Sequence, residues 1–232
     1  MLGEPGTGKT TYLKHLTLTL VEAYRQRENH LIPVFISAAD WQEREMPAFD
    51  FVRDALSKLA GAQSYLVEAF EGLLLSGDLV ILLDGLNEIP GRELTYRQKA
   101  AGMYVKDPRE RSLEELATRR AVRTRFVVSC RTHEFGGAPD WQSLRILPMD
   151  QETVTTFVNA YTPDAQVDHF LEVLEQNAPL YELAKIPFFL RYMTQLPAEK
   201  LVTIKSRGQF LDFLVHTLIL SLIHISEPTR PY

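Results

Sequence analysis

The sequence predicts an α/β fold, a parallel β-sheet flanked by helices, followed by a small all-helical domain. Three observations carry this prediction. The chain opens on Gly3-Glu4-Pro5-Gly6-Thr7-Gly8-Lys9-Thr10, which fits the phosphate-binding loop pattern G-x-x-x-x-G-K-[ST] and leads into a helical pattern. Leu79-Val80-Ile81-Leu82-Leu83 is a continuous apolar run, as expected of a parallel strand covered on both faces, and it ends in Asp84. After Pro148 the strand signals stop and only helical spacing continues.

Composition narrows the function classes. A chain of 232 residues is long enough for one α/β domain and a smaller second unit. The net charge of −5 gives no electrostatic case for nucleic acid as a main partner. A single cysteine, Cys130, excludes an internal disulfide and fits a reducing compartment, so a cytoplasmic protein is expected. The histidines are scattered without paired Cys/His spacing, and no structural metal is expected. The apolar run Phe210 to Ile223 contains Asp212 and His216 and falls short of the roughly 20 residues that cross a bilayer, so no membrane span is expected.

In chain order, the phosphate loop comes first. Its glycines let successive N–H groups converge on phosphate oxygens, Lys9 can reach the β- and γ-phosphates, and the Thr10 hydroxyl can ligate Mg²⁺. The bland alternative is a chance match in a glycine-rich turn. Only Met1 and Leu2 precede Gly3, so most of the strand expected before such a loop is missing and the chain reads as a gene fragment. Leu13, Leu16, Leu20 and Tyr24 predict an amphipathic helix to about Arg27. Leu31 to Ser37 reads as a strand, and Pro33, which cannot donate to a ladder, puts it at an edge or a strand start. Asp40-Trp41 begins a loop, Phe49, Val52, Leu56 and Leu59 mark a second helix, and a third runs from Tyr65 to Leu75 and stops at Ser76-Gly77.

The apolar strand then delivers Asp84 at its carboxyl end, where α/β sheets bind ligands. Asp84-Gly85-Leu86-Asn87-Glu88 reads as a second nucleotide motif with Asp84 holding Mg²⁺; an exposed acid in a strand-end turn is the alternative. Pro90 to Arg123 is polar, with a charged helix around Ser112 to Arg120. Arg119, Arg120, Arg123 and Arg125 read as a solvated helix face rather than an RNA contact. Arg125 to Cys130 is the next strand, and Arg131 at its tip either senses the γ-phosphate or caps a neighbouring carboxylate. Sequence proximity alone makes no general base of His133. Leu144 to Leu147 reads as a short last strand, after which Asp150 caps a helix Glu152 to Tyr161. Val167 to Leu174, Leu180-Leu183 and the segment from Ile186-Pro187 supply further helices.

The expected domains are residues 1–150 for nucleotide binding and 151–200 for the small helical unit. Residues 201–219 would begin an incomplete further unit, and 220–232 resemble the translation of a sequencing adaptor and form a non-native tail.

Gly3 to Thr11, Ile32-Pro33-Val34-Phe35-Ile36-Ser37, Leu82-Leu83-Asp84-Gly85-Leu86-Asn87-Glu88 and Val128-Ser129-Cys130-Arg131 together resemble the NACHT group of STAND P-loop NTPases, over about Met1 to Leu196. The resemblance implies that the sensor strand lies between the Walker A and Walker B strands, with the Pro33 strand at an edge. It implies that Gly3, Glu4, Pro5, Gly6, Thr7, Gly8, Lys9, Thr10 and Thr11 hold ATP or ADP, with Mg²⁺ on Thr10 and Asp84. Pro187 corresponds to the proline that packs near the adenine. Members are nucleotide switches whose state controls homo-oligomerisation and an effector, and neither an effector nor a sensor region is expected here. Asn87 stands where an acid is more usual. An Asn cannot take a proton at neutral pH, which leaves Glu88 as the candidate catalytic carboxylate beside Asp84 and Arg131, with a structural role bonding loop N–H groups as its alternative. A slow ATPase switch is therefore expected. An AAA-type turnover enzyme usually carries Glu directly after the Walker B Asp, where this chain has Gly85, and a nucleotide-free interaction module conflicts with the complete loop.

Overall fold

A computed structural model describes residues 1–61, 64–92, 106–138 and 140–225. The polar stretch 93–105 and the last residues of the expected tail, 226–232, lie outside the described residues. The chain divides into two compact units, Met1–Ile146 and Leu147–Tyr232.

The first unit is built on a three-stranded parallel sheet. Strand β1 (Ile32–Ser37) pairs with β2 (Leu79–Asp84), and β2 pairs with β3 (Arg125–Val128). Beyond β3, Leu2 makes single parallel bridges to Cys130 on one side and to Arg145 on the other. The order is therefore β1, β2, β3, the residues leading into the phosphate loop, then Arg145. This places β3 between β2 and the residues leading into the phosphate loop, and Pro33 on the edge strand. The expected strand Leu144 to Leu147 is reduced to that single bridge, with Leu2 N donating to the Leu144 carbonyl at 2.7 Å and Ile146 N to the Leu2 carbonyl at 2.8 Å.

Alternation along the strands sorts the side chains to two faces. Val34, Ile36, Leu79, Ile81, Leu83 and Val128 enter one core with helices α2 (Ala48–Ala60), α4 (Phe70–Ser76) and α5 (Pro108–Thr118). Trp41 and Phe51 stack in that core with centroids 4.4 Å apart. Phe35, Val80, Leu82 and Val127 face the other way, onto α1 (Lys9–Arg25), of which Leu13 alone is fully buried. The third predicted helix is two pieces, α3 (Tyr65–Glu68) and α4, and Gly77 closes the latter in a left-handed conformation, φ 87°. Short 3-10 turns at Ala38–Asp40, Leu86–Glu88 and Thr132–Glu134 follow the carboxyl ends of β1, β2 and β3.

The second unit is helical: α6 (Gln151–Tyr161), α7 (Asp164–Glu175), α8 (Ala178–Ala184), α9 (Pro187–Met193), α10 (Ala198–Thr203) and α11 (Arg207–Ile225). Asp150 caps α6 as its position predicts, accepting from Thr153 N at 2.8 Å. Leu201, Ile204 and Phe210 are buried in the same core as Val158, Leu174, Leu180 and Leu190. Among the described residues no helix is long and apolar enough to cross a membrane.

Candidate functional site

The phosphate loop closes around a lysine. Gly8 caps α1 at φ 90°, a left-handed conformation that a Cβ would strain, and no side chain caps the helix. The first turn of α1 also carries no acid, so its N–H groups face the loop without a side-chain anion. Gly3 is packed so tightly that a Cβ there would lie 2.7 Å from the Thr7 hydroxyl. That hydroxyl donates to the Glu4 carbonyl at 2.8 Å. Lys9 reaches back across the loop, its Nζ donating to the Gly3 and Glu4 carbonyls at 2.8 and 2.9 Å. Burial, and then the nearby Arg131 charge, depress the Lys9 pKa, while Asp84 and Glu4 oppose that shift. The strand tips thus bring Lys9, Asp84 and Arg131 within one another's field. Thr10 and Thr11 lie exposed on the first turn of the helix.

The turn after β2 is fastened to β3 by Ser129, which sequence reasoning did not single out. Its hydroxyl donates to Asp84 Oδ1 at 2.6 Å and accepts from Gly85 N at 2.8 Å. Ser129 N donates to the Leu83 carbonyl at 2.9 Å and Leu86 N to the Ser129 carbonyl at 2.8 Å. Asn87 Oδ1 accepts from Arg131 N at 3.0 Å, so the residue standing where an acid is more usual ties the two strand tips together. Gly85 sits at φ 73°, and the Glu88 carboxyl lies 2.9 Å from the place a Cβ on Gly85 would take. Glu88 is exposed.

Arg131 caps a carboxylate here, its Nη1 donating to Glu134 Oε1 at 3.2 Å. His133 Nδ1 lies 3.8 Å from Glu4 Oε2, linking this tip to the phosphate loop. Arg119, Arg120, Arg123 and Arg125 are all exposed. Pro187 holds the first position of α9, in the second unit.

The donors fit a nucleotide. Uncapped helix N–H groups, Lys9 and Arg131 suit a polyphosphate. Among the described residues no group of three or more His, Cys, Asp or Glu side chains could hold a metal.

A search of curated proteins gives no match. The family model of the NACHT domain matches residues 1–165. With its phosphate loop, its Asp84 strand and its parallel sheet in this order, the chain belongs to the NACHT domain family, nucleotide-binding P-loop NTPases of the STAND type.

Proposed function

We propose that the protein is an ATP/ADP signalling switch of the cytoplasm, with slow Mg²⁺-dependent ATP hydrolysis coupled to homo-oligomerisation and to an effector of unknown kind. The observation that carries the slow-hydrolysis reading is the turn after β2. Gly85 follows Asp84 directly, and the remaining carboxylate of the motif, Glu88, is exposed and folded over Gly85. A group that deprotonates or orients the attacking water is worth about 10²- to 10⁴-fold when well placed. Glu88 has that chemistry without the enclosure that would fix it against a water.

In this reading the amides of Gly6 to Thr11 cradle the phosphates, Lys9 serves the β- and γ-phosphates, and Arg131 reports the γ-phosphate. Mg²⁺ on Thr10 and Asp84 would neutralise charge on the phosphate oxygens. The Ser129 hydroxyl orients Asp84, and Glu88 takes the proton of the attacking water.

Single-turnover phosphate release beside equilibrium ATP binding tests this. Glu88→Gln should lower the release rate by at least about tenfold with affinity nearly unchanged. Asn87→Asp should keep the bond to Arg131 N and leave binding alone, while its added carboxylate raises turnover. If Glu88→Gln hydrolyses as fast as the parent, Glu88 is not the catalyst. Steady-state turnover of about 1 s⁻¹ or faster would favour a motor-type ATPase instead. The binding claim has its own check. Ligand at 100 times its dissociation constant stabilises the folded state by about 2.7 kcal/mol, and the resulting melting shift with Mg-ADP should be lost in Lys9→Ala.

A further inference from the structure

At the tip of β3 one carboxylate gathers two guanidinium groups and an imidazole. Glu134 ends the 3-10 turn Thr132–Glu134, and its side chain is 15% exposed. Oε1 accepts from Arg131 Nη1 at 3.2 Å and lies 3.4 Å from His133 Nε2, while Oε2 lies 3.7 Å from Arg92 Nη1. Arg92 is anchored elsewhere too, its Nε donating to Glu110 Oε1 at 2.5 Å and its Nη2 to the Glu134 carbonyl at 2.5 Å. The Arg92 and Glu110 side chains are 10% and 4% exposed, whereas Arg131 is 41% exposed.

The two guanidinium groups on Glu134 are therefore unequal. Arg92 is enclosed and held at several points. Arg131 lies at the open end and is the one whose charge reaches Lys9. Losing Arg131 would not strand a bare carboxylate, because Arg92 remains beside it. That removes the large penalty normally attached to breaking an enclosed ion pair. Glu134 holds Arg131 through Nη1 alone, so turning that planar fork toward a phosphate would weaken this single bond.

We infer that Glu134 is a positioning residue that competes with the terminal phosphate for Arg131, and so sets how strongly the site prefers a nucleoside triphosphate over the diphosphate. The inference rests on the proposed reach of Arg131 to the γ-phosphate. With a diphosphate bound, Arg131 keeps its carboxylate. With a triphosphate bound, Arg131 turns to the γ-phosphate and Glu134 stays with Arg92. The Glu134 charge thus opposes the triphosphate by holding the guanidinium.

The test is equilibrium titration of the full chain with Mg-ADP and with Mg²⁺ and a non-hydrolysable ATP analogue. The proteins are the parent, Glu134→Gln, Glu134→Asp, Arg131→Ala and the double variant Arg131→Ala/Glu134→Gln, each checked by its melting curve. Glu134→Gln should raise the triphosphate-to-diphosphate affinity ratio about two- to fivefold, the scale of a partly exposed ion pair, with ADP affinity unchanged. Glu134→Asp, which restores the charge, should move the ratio back toward the parent. In the Arg131→Ala background, Glu134→Gln should leave the ratio unaltered. A ratio that falls or stays the same in Glu134→Gln overturns the inference, as does an equal shift of both affinities. An unaltered ratio in Arg131→Ala removes the sensing role and the inference with it. A parent that binds neither nucleotide overturns the nucleotide reading itself.

Discussion

Ser129 shows how much of this site is decided by one small side chain. It is wholly buried, and its hydroxyl both fixes Asp84 and satisfies the buried N–H of Gly85. Ser129→Ala leaves that N–H unpaired, a cost of about 1–3 kcal/mol, and frees the Asp84 carboxylate to rotate. Nucleotide affinity measured with Mg²⁺ should fall, while affinity measured in EDTA changes little; equal losses in both would place the effect in folding alone. The next residue makes a second check. Burial pushes the Cys130 thiol up to about 11, so at pH 8 only about one thiol in a thousand is the reactive thiolate. Alkylation by iodoacetamide at pH 8 should be at least about a hundredfold slower in the native protein than in urea, and equal rates would contradict the enclosure. The identities of Lys9, Asp84 and Glu88 as site candidates were legible in sequence because the motif spacing encodes them. The Ser129–Asp84 and Asn87–Arg131 bonds were not, because they join residues 45 and 44 positions apart, and only strand pairing brings those together.

At the scale of the element, α5 departs most from its sequence pattern. Its apolar spacing is carried by Leu113 and Leu116 alone, so the pattern points to a charged helix near Ser112 to Arg120. The helix instead begins at Pro108, with Asp107 as N-cap accepting from Arg109 N at 2.9 Å. Its first turn buries charge rather than hydrocarbon. Arg109, 1% exposed, donates through Nε to Asp107 Oδ1 at 2.9 Å and through Nη2 to Oδ2 at 3.0 Å. It also donates to the Trp41 and Pro90 carbonyls, each at 2.7 Å. These hydrogen bonds hold the Asp107 pKa below its usual range against the opposing effect of burial. A helix whose inner face is polar gives no periodicity to read. Removing one partner of such an enclosed pair costs about 3–5 kcal/mol. Arg109→Met, of similar length, should lower the unfolding free energy of the first unit, read from a urea titration, by that amount. A near-neutral result would mean that the pair adds nothing beyond its packing volume.

Among the described residues of the first unit the two faces of the sheet are unequally covered, and the helix that follows the phosphate loop lies on the less covered one. The face with α2, α4 and α5 joins a large core in which Trp41, Phe70, Leu74 and Ile81 are at most 2% exposed. The opposite face has α1, which buries Leu13 fully, holds Leu16 and Leu20 partly, and leaves Tyr12, Leu18 and Tyr24 exposed. The order of the sheet was expected only through the family resemblance, while the missing N–H of Pro33 left an edge strand and a strand start both open. The asymmetry of the two faces was not legible, because the spacing of Leu13, Leu16, Leu20 and Tyr24 predicts a helix with a fully buried stripe, and tertiary partners decide how much of a stripe is covered. Local opening follows buried contact, so α1 should open more readily than β2 without ligand. A polyphosphate bound at the N-terminus of α1 would close that gap, since about 2.7 kcal/mol at 100 times the dissociation constant is roughly a hundredfold in the opening equilibrium. Hydrogen exchange should therefore show α1 amides exchanging faster than those of Val80 to Leu83 in the free protein. Mg-ADP should slow α1 by up to about a hundredfold while changing β2 little, and Lys9→Ala should remove that protection. If α1 is already as protected as β2 without nucleotide, the uneven cores do not govern its opening, and the phosphate loop stands on a helix that needs no ligand to hold it.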